Sequence, residues 1–225
     1  MKKEKPGKQV TNGTKKNDTV ARILAAAKKI FSEYPYHTAS IRIIGNTAGL
    51  NFPLIAYYFP TKAALFEAVL SDLSDEYYAA NANWLNETAG MGSTKGLSLY
   101  IDRLIDFTQT HPEALRIVLL NLVQAKETQA IPGYLILQNF FARMIPLFKK
   151  TSSARAADKD IEMFHHNINT LAINYLGAGT YYAGIMGLDP DSPEYKQSVK
   201  ENLMSLFLPI LKQLLRGNDQ TSKIK

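Results

Sequence analysis

Residues 40–59 read Ser40-Ile41-Arg42-Ile43-Ile44-Gly45-Asn46-Thr47-Ala48-Gly49-Leu50-Asn51-Phe52-Pro53-Leu54-Ile55-Ala56-Tyr57-Tyr58-Phe59. Ile41, Ile44 and Ala48 recur at three- and four-residue spacing, which marks one face of a helix. Ala48-Gly49-Leu50-Asn51 breaks that helix, and Gly49 supplies the positive φ such a turn needs. Pro53 falls in the first turn of the next helical piece, where its missing N–H costs nothing. Ile41, Ile44, Ala48, Leu50, Ile55 and Phe59 form the expected inward face, with Ala48 small where the pieces cross. Two short helices joined by a glycine turn make a helix-turn-helix. The apolar pattern alone fits a plain helical hairpin equally well.

Charge separates the two readings. The chain carries a net +6. Residues 1–18 hold six Lys against Glu4 and Asp18, a balance of +4, and residues 19–70 add +3. Residues 71–225 hold 15 basic and 16 acidic side chains. The whole excess lies in the first third, the footprint of a polyanion partner at that end. A solvated lysine tail accounts for the first 18 residues as well as a polyanion does, but not for the cations around the helix-turn-helix.

The rest of the chain is read as helices, with an all-α fold. Residues 1–18 have no apolar periodicity and are expected to be a disordered basic tail. A helix opens at Asp18 or Thr19 as cap and carries Val20, Ile23, Leu24, Ala27, Ile30 and Phe31 as one stripe, ending at Pro35. Further helices are expected near 62–85, 97–108, 112–126, 133–149, 159–187 and 193–216. Their breaks hold turn residues such as Ile131-Pro132-Gly133 and Asp189-Pro190-Asp191-Ser192-Pro193. Pro146 and Pro209 are expected to kink their helices. The division is then a tail at 1–18, a three-helix head at 19–70 and a larger helical body at 71–225.

From Thr19 to Leu70 the chain resembles the tetracycline-repressor (TetR) family of transcriptional regulators. Ala27 and Phe31, Tyr36, Ser40-Ile41, Ile44, Ala48-Gly49-Leu50-Asn51, Tyr57-Tyr58-Phe59 and Thr61-Lys62 with Leu65 fall in the family's order and spacing. Pro35, Gly45, Pro53 and Ala63 depart from it. The resemblance implies a DNA-binding head with Ser40, Arg42, Asn51, Phe52, Pro53, Leu54, Tyr57, Tyr58 and Lys62 at the DNA. Lys62 would meet a phosphate, and Ser40 would cap its helix and donate to another. One of Tyr57 and Tyr58 would touch the backbone while the other serves the core. Arg42 would reach phosphate or an adjacent base. Asn51, Phe52, Pro53 and Leu54 would face the major groove, the last three against thymine methyls. The resemblance further implies a homodimer on an inverted-repeat operator in double-stranded DNA, a small-molecule effector and a cytoplasmic regulator, more commonly a repressor.

Other chemistry finds little support. The chain has no cysteine, so disulfides and thiolate metal sites are excluded. Glu162-x-x-His165 has the spacing of a di-iron helix but lacks the second such motif that the site needs. Gly177-Ala178-Gly179 follows no strand, and Tyr182 stands where a dinucleotide loop needs glycine. No catalytic set, metal site or cofactor is expected, and the chain is not read as an enzyme. The Met-Lys-Lys-Glu-Lys-Pro start lacks the apolar core of a secretory signal. Residues 163–188 carry no formal charge, yet His and Asn crowd their first half, so a buried bundle helix is expected there and no membrane partner.

For the body, Tyr175, Gly179, Tyr182, Ala183, Met186, Leu203, Phe207 and Ile210 are the expected dimer face, with small residues allowing close helix approach. Tyr100, Leu104, Phe107, Asn121, Gln124, Phe141, His165 and Asn169 are the expected lining of a cavity for an apolar or amphipathic effector. A fully packed core remains the competing expectation. The alternative function is a helical ligand carrier, or a lipid-surface-binding protein whose basic N-terminus reads no DNA.

Overall fold

The computed structural model describes residues 12–122 and 131–216. The described residues form helices and turns without a strand. In chain order the helices are α1 (Asn12–Glu33), α2 (Ile41–Ala48), α3 (Phe52–Tyr58), α4 (Lys62–Thr88), α5 (Ser93–Thr110), α6 (Pro112–Leu122), α7 (Tyr134–Ser152), α8 (Asp158–Ala172), α9 (Gly179–Met186) and α10 (Pro193–Arg216). A π-helical turn, Ile173–Gly177, lies between α8 and α9.

Helix α1 begins at Asn12, upstream of the cap expected at Asp18 or Thr19. Once the buried stripe downstream fixes a helix, extension through polar residues adds one bond per residue ordered, so no new nucleus is needed. Residues 1–11, the rest of the expected tail, lie outside the described residues. Pro146 and Pro209 sit inside continuous α7 and α10.

The head is α1–α3 and the start of α4. Ile23, Phe31, Ile44, Ile55, Leu65 and Phe66 are fully closed off, each worth about 1.5–3 kcal/mol against exposure. Phe31 meets Phe66 edge to face with centroids 4.8 Å apart, a favoured aromatic geometry. Gly49 ends α2 in the left-handed conformation at φ 65°, as its place in the turn requires. The close crossing is at Gly45 and not at Ala48. A Cβ on Gly45 would stand 3.0 Å from the Leu50 carbonyl oxygen and 3.2 Å from Ile55 Cδ1. This packing offsets the helix-propensity cost of glycine inside α2.

The body is α4–α10 around a second core that includes Trp84, Ile101, Leu104, Ile161, Ile168 and Leu203. Helix α6 belongs to both parts. Ala114 and Ile117 complete the head's core, while Leu115 backs the π-helical turn, within 3.3 Å of where a Cβ on Gly177 would lie. Lys28 of α1 pairs with Asp72 at 2.8 Å and Glu76 at 2.9 Å on α4. Burial works against its charge, but the hydrogen bonds and charges of the two carboxylates outweigh it and its pKa rises.

Sequence periodicity expects one helix over 159–187, and the structure breaks it. The π-helical turn holds an extra residue in its turn, so α9 is rotated relative to a straight continuation. The correction this brings falls on the dimer face. Ala183, Leu203 and Phe207 are inside the protomer's own core. Gly179 faces inward too, a Cβ there lying 3.5 Å from Pro190 and 3.8 Å from Tyr195. Tyr175 and Tyr182 are half-buried and pack on the same core. Of the expected face only Met186 and Ile210 are exposed, and Tyr181, Ile185 and Leu206 stand exposed near them in sequence.

Candidate nucleic-acid interface and ligand cavity

Helix α3 is seven residues long, too short to persist on its own. Asn51 caps it, its side-chain oxygen accepting from the Leu54 N–H at 3.1 Å. Pro53 sits in the first turn and Ile55 anchors the inner face. The outer face is then Phe52, Pro53 and Tyr57, all exposed, with Leu54 half-buried. The tyrosine pair divides as the neighbouring positions require. Tyr57 is 75% exposed and Tyr58 packs against the head's core, their rings edge to face at 5.1 Å.

Several expected contacts are placed differently. Asn51 is exposed, but its oxygen is committed to the cap. Ser40 is the N-cap residue of α2 by backbone conformation, yet its side chain makes no capping hydrogen bond, so the expected cap is not made. Lys62 changes role. Its ammonium donates to the carbonyl oxygens of Tyr36 at 2.7 Å, His37 at 3.2 Å and Ala39 at 3.1 Å. Those bonds use all three ammonium protons, and the charge also lies 4.6 Å from the Tyr36 ring centroid. In the DNA-free chain Lys62 therefore clamps the α1–α2 loop. Arg42 stays exposed on the first turn of α2, and Asn46 and Thr47 share the exposed side of that helix. Their spacing from Arg42 and Ile43 puts them on one face.

In the body, Phe107, Phe141 and Asn169 line a cavity of about 240 Å³ between α4, α6, α7 and α8. Tyr77, Phe140, Tyr134 and His166 complete its aromatic wall. His166 stacks on Phe141 with ring centroids 3.8 Å apart. No charged side chain is among the described lining residues, which suits an uncharged ligand, since an unpaired ion there would lose its hydration. Tyr77 is the clear omission from the sequence reading. It looks like one more core aromatic on a long helix, and only the packing puts it at the cavity.

The other expected pocket residues separate. Tyr100 and His165 line a different cavity of about 280 Å³ at the far end of the bundle. Leu104 is closed in the core, Asn121 turns toward the head, and Gln124 lies outside the described residues. Several polar groups in this core pair with one another, while His165 Nε2 is buried without a hydrogen-bond partner. The Tyr100 hydroxyl donates to Asn81 at 2.6 Å, the Tyr77 hydroxyl to Asn169 at 2.5 Å, and the Asn169 amide to the His165 carbonyl at 2.8 Å. Burial first, and the neighbouring His166 second, push His165 down to a pKa of about 4.

Comparison with known proteins bears on the head most directly. Residues 23–69 match the model of bacterial regulatory proteins of the tetR family. The HTH-type transcriptional regulator RutR of Escherichia coli K12 is 29% identical over 101 residues, covering 45% of this chain and 46% of RutR. The chain thus spans about half the length of that relative. Among solved structures, a tetR-family transcriptional regulator from Streptomyces coelicolor aligns over 89% of this chain and 87% of its own, with 16% identity and a TM-score of 0.64. The fatty acid degradation regulator FadR from Bacillus halodurans aligns over 87% and 97%, with 15% identity and a TM-score of 0.59. These structures share the fold of head and body. The helix-turn-helix head at residues 23–69 is thus similar to bacterial regulatory proteins of the tetR family, and head and body together share the fold of these solved structures.

Proposed function

We propose that this chain is a DNA-binding transcriptional regulator that acts as a two-fold dimer and is controlled by an uncharged small molecule. The observation that carries this reading is the outward α3 on a basic head, held by a buried inner face and placed in the region that matches the tetR family. Two such heads related by a two-fold axis would enter successive major grooves, so the operator is an approximate inverted repeat. Tyr181, Ile185 and Met186 of α9 with Leu206 and Ile210 of α10 are the exposed apolar residues available to the partner copy.

Control follows from α6. Ala114, Leu115 and Val118 line the aromatic cavity, while Ala114 and Ile117 also pack in the head's core. A ligand that displaces α6 therefore acts on the head, provided it binds one arrangement more tightly than the other. Release from the operator is the expected direction, and such a regulator works in the cytoplasm.

The test is binding of the purified chain to random-sequence duplex DNA at low salt, with vesicles of anionic lipid as the comparison. Duplex binding that weakens steeply with salt supports the reading. Vesicle binding without duplex binding favours a lipid-surface protein and overturns it.

A further inference from the structure

The surface of α3 is short of hydrogen-bonding groups, and the structure makes it shorter than the sequence alone implies. From Ile43 to Thr61 the chain has no charged residue. Of the groups flanking α3, the Asn51 oxygen is held by the Leu54 N–H and the Lys62 ammonium by three loop carbonyls. One terminal nitrogen of Arg22 donates to the Ala48 carbonyl at 2.8 Å. What remains outward on α3 is apolar apart from the Tyr57 hydroxyl, with Phe52 55% and Tyr57 75% exposed and Pro53 exposed between them.

Bidentate recognition of guanine needs Arg or Lys, and that of adenine needs Asn or Gln. Helix α3 offers none of these. The feature of the major groove that an apolar surface recognises is the 5-methyl group of thymine. Charge favours DNA as the occupant of this face over another apolar protein surface. Lys16, Lys29 and Arg42 are exposed on the head, and residues 19–70 hold only Glu33 and Glu67 as acids.

We propose that α3 selects its operator through the 5-methyl groups of pyrimidines, with Phe52, Pro53 and the ring of Tyr57 as the reading surface. The inference rests on the DNA reading above. Its consequence is that the base matters less than its methyl. Uracil, which pairs as thymine does but lacks the methyl, is rejected. 5-Methylcytosine, which presents the methyl at the same place in the groove, is accepted at thymine positions.

The probe is the duplex best retained from a random-sequence pool by the full chain, resynthesised with uracil, cytosine or 5-methylcytosine at its thymine positions, complementary strands adjusted. Each methyl removed should weaken binding about fourfold, the value of one buried carbon group. 5-Methylcytosine should recover most of what cytosine loses. In Phe52→Ala, whose side chain supports no core, the difference between thymine and uracil duplexes should shrink. Equal affinity for thymine and uracil duplexes overturns the methyl reading alone, as does equal affinity for cytosine and 5-methylcytosine duplexes. Failure to bind any duplex at low salt overturns the DNA reading and this inference with it.

Discussion

Asn121 of α6 accepts a hydrogen bond from the backbone N–H of Tyr36 at 2.9 Å. Its own amide donates to the Ile117 carbonyl at 2.7 Å, so the side chain is fixed from both ends. The bond joins the helix that lines the aromatic cavity to the loop that precedes α2. Asn121→Ala leaves the Tyr36 N–H without this partner and should destabilise the protein by about 1–3 kcal/mol. A urea titration at neutral pH measures it, and an unchanged midpoint would show that the joint carries no energy.

Lys62 and Arg42 should separate stability from DNA contact. Lys62→Ala removes three hydrogen bonds from the α1–α2 loop and should cost about 1–3 kcal/mol, with little change in the salt dependence of DNA binding. Arg42→Ala should leave stability near wild type and lower the slope of log affinity against log salt by about one. The opposite pattern of slopes would return Lys62 to the phosphate backbone.

Assembly should depend on the outward side of α9 and α10. Ile185 is 68% and Ile210 41% exposed, so Ile185→Glu and Ile210→Glu should leave the fold intact and give monomers by sedimentation at micromolar concentration. Gly179→Arg should instead damage the protomer, because that position faces Pro190 and Tyr195. A wild-type chain that sediments as a monomer would refute the two-fold arrangement.

His165 should set part of the acid stability. Its pKa in the fold is about 4 against the usual 6.5, because burial and His166 oppose its charge. The unfolded chain takes up this proton first, so stability present above pH 6.5 is lost as pH falls toward 4. The full shift corresponds to roughly 3 kcal/mol. Other groups titrate in the same range, so the comparison is the urea midpoint of wild type against His165→Gln at pH 7 and pH 4.5. The wild type should lose more on acidification, and equal losses would place the acid sensitivity elsewhere.

The head was legible because its signals are local. Gly49 at φ 65°, Asn51 and Pro53 at the start of α3, and the buried pair Ile44 and Ile55 all follow from residue type and spacing within a few positions. The loop contacts of Lys62 are not legible in the sequence because its partners lie 23 to 26 residues back along the chain, a distance over which spacing says nothing. Tyr77 and Asn169, bonded across 92 positions, were separable from other core residues only by tertiary packing. The cavity lining was read from composition, and composition does not distinguish the cavity holding Phe141 from the one holding Tyr100.

The π-helical turn at Ile173–Gly177 acts as a phase shifter. One residue advances an α-helix by about 100°, so the extra residue held there decides which meridian of α9 looks outward. Ala183 faces the protomer and Ile185 faces away partly because of that offset. A lineage that lost one residue from this turn would keep every side chain of α9 and still present a different stripe to the outside. The outward surface of α9 is therefore open to change by a single-codon deletion, with no substitution among its exposed side chains.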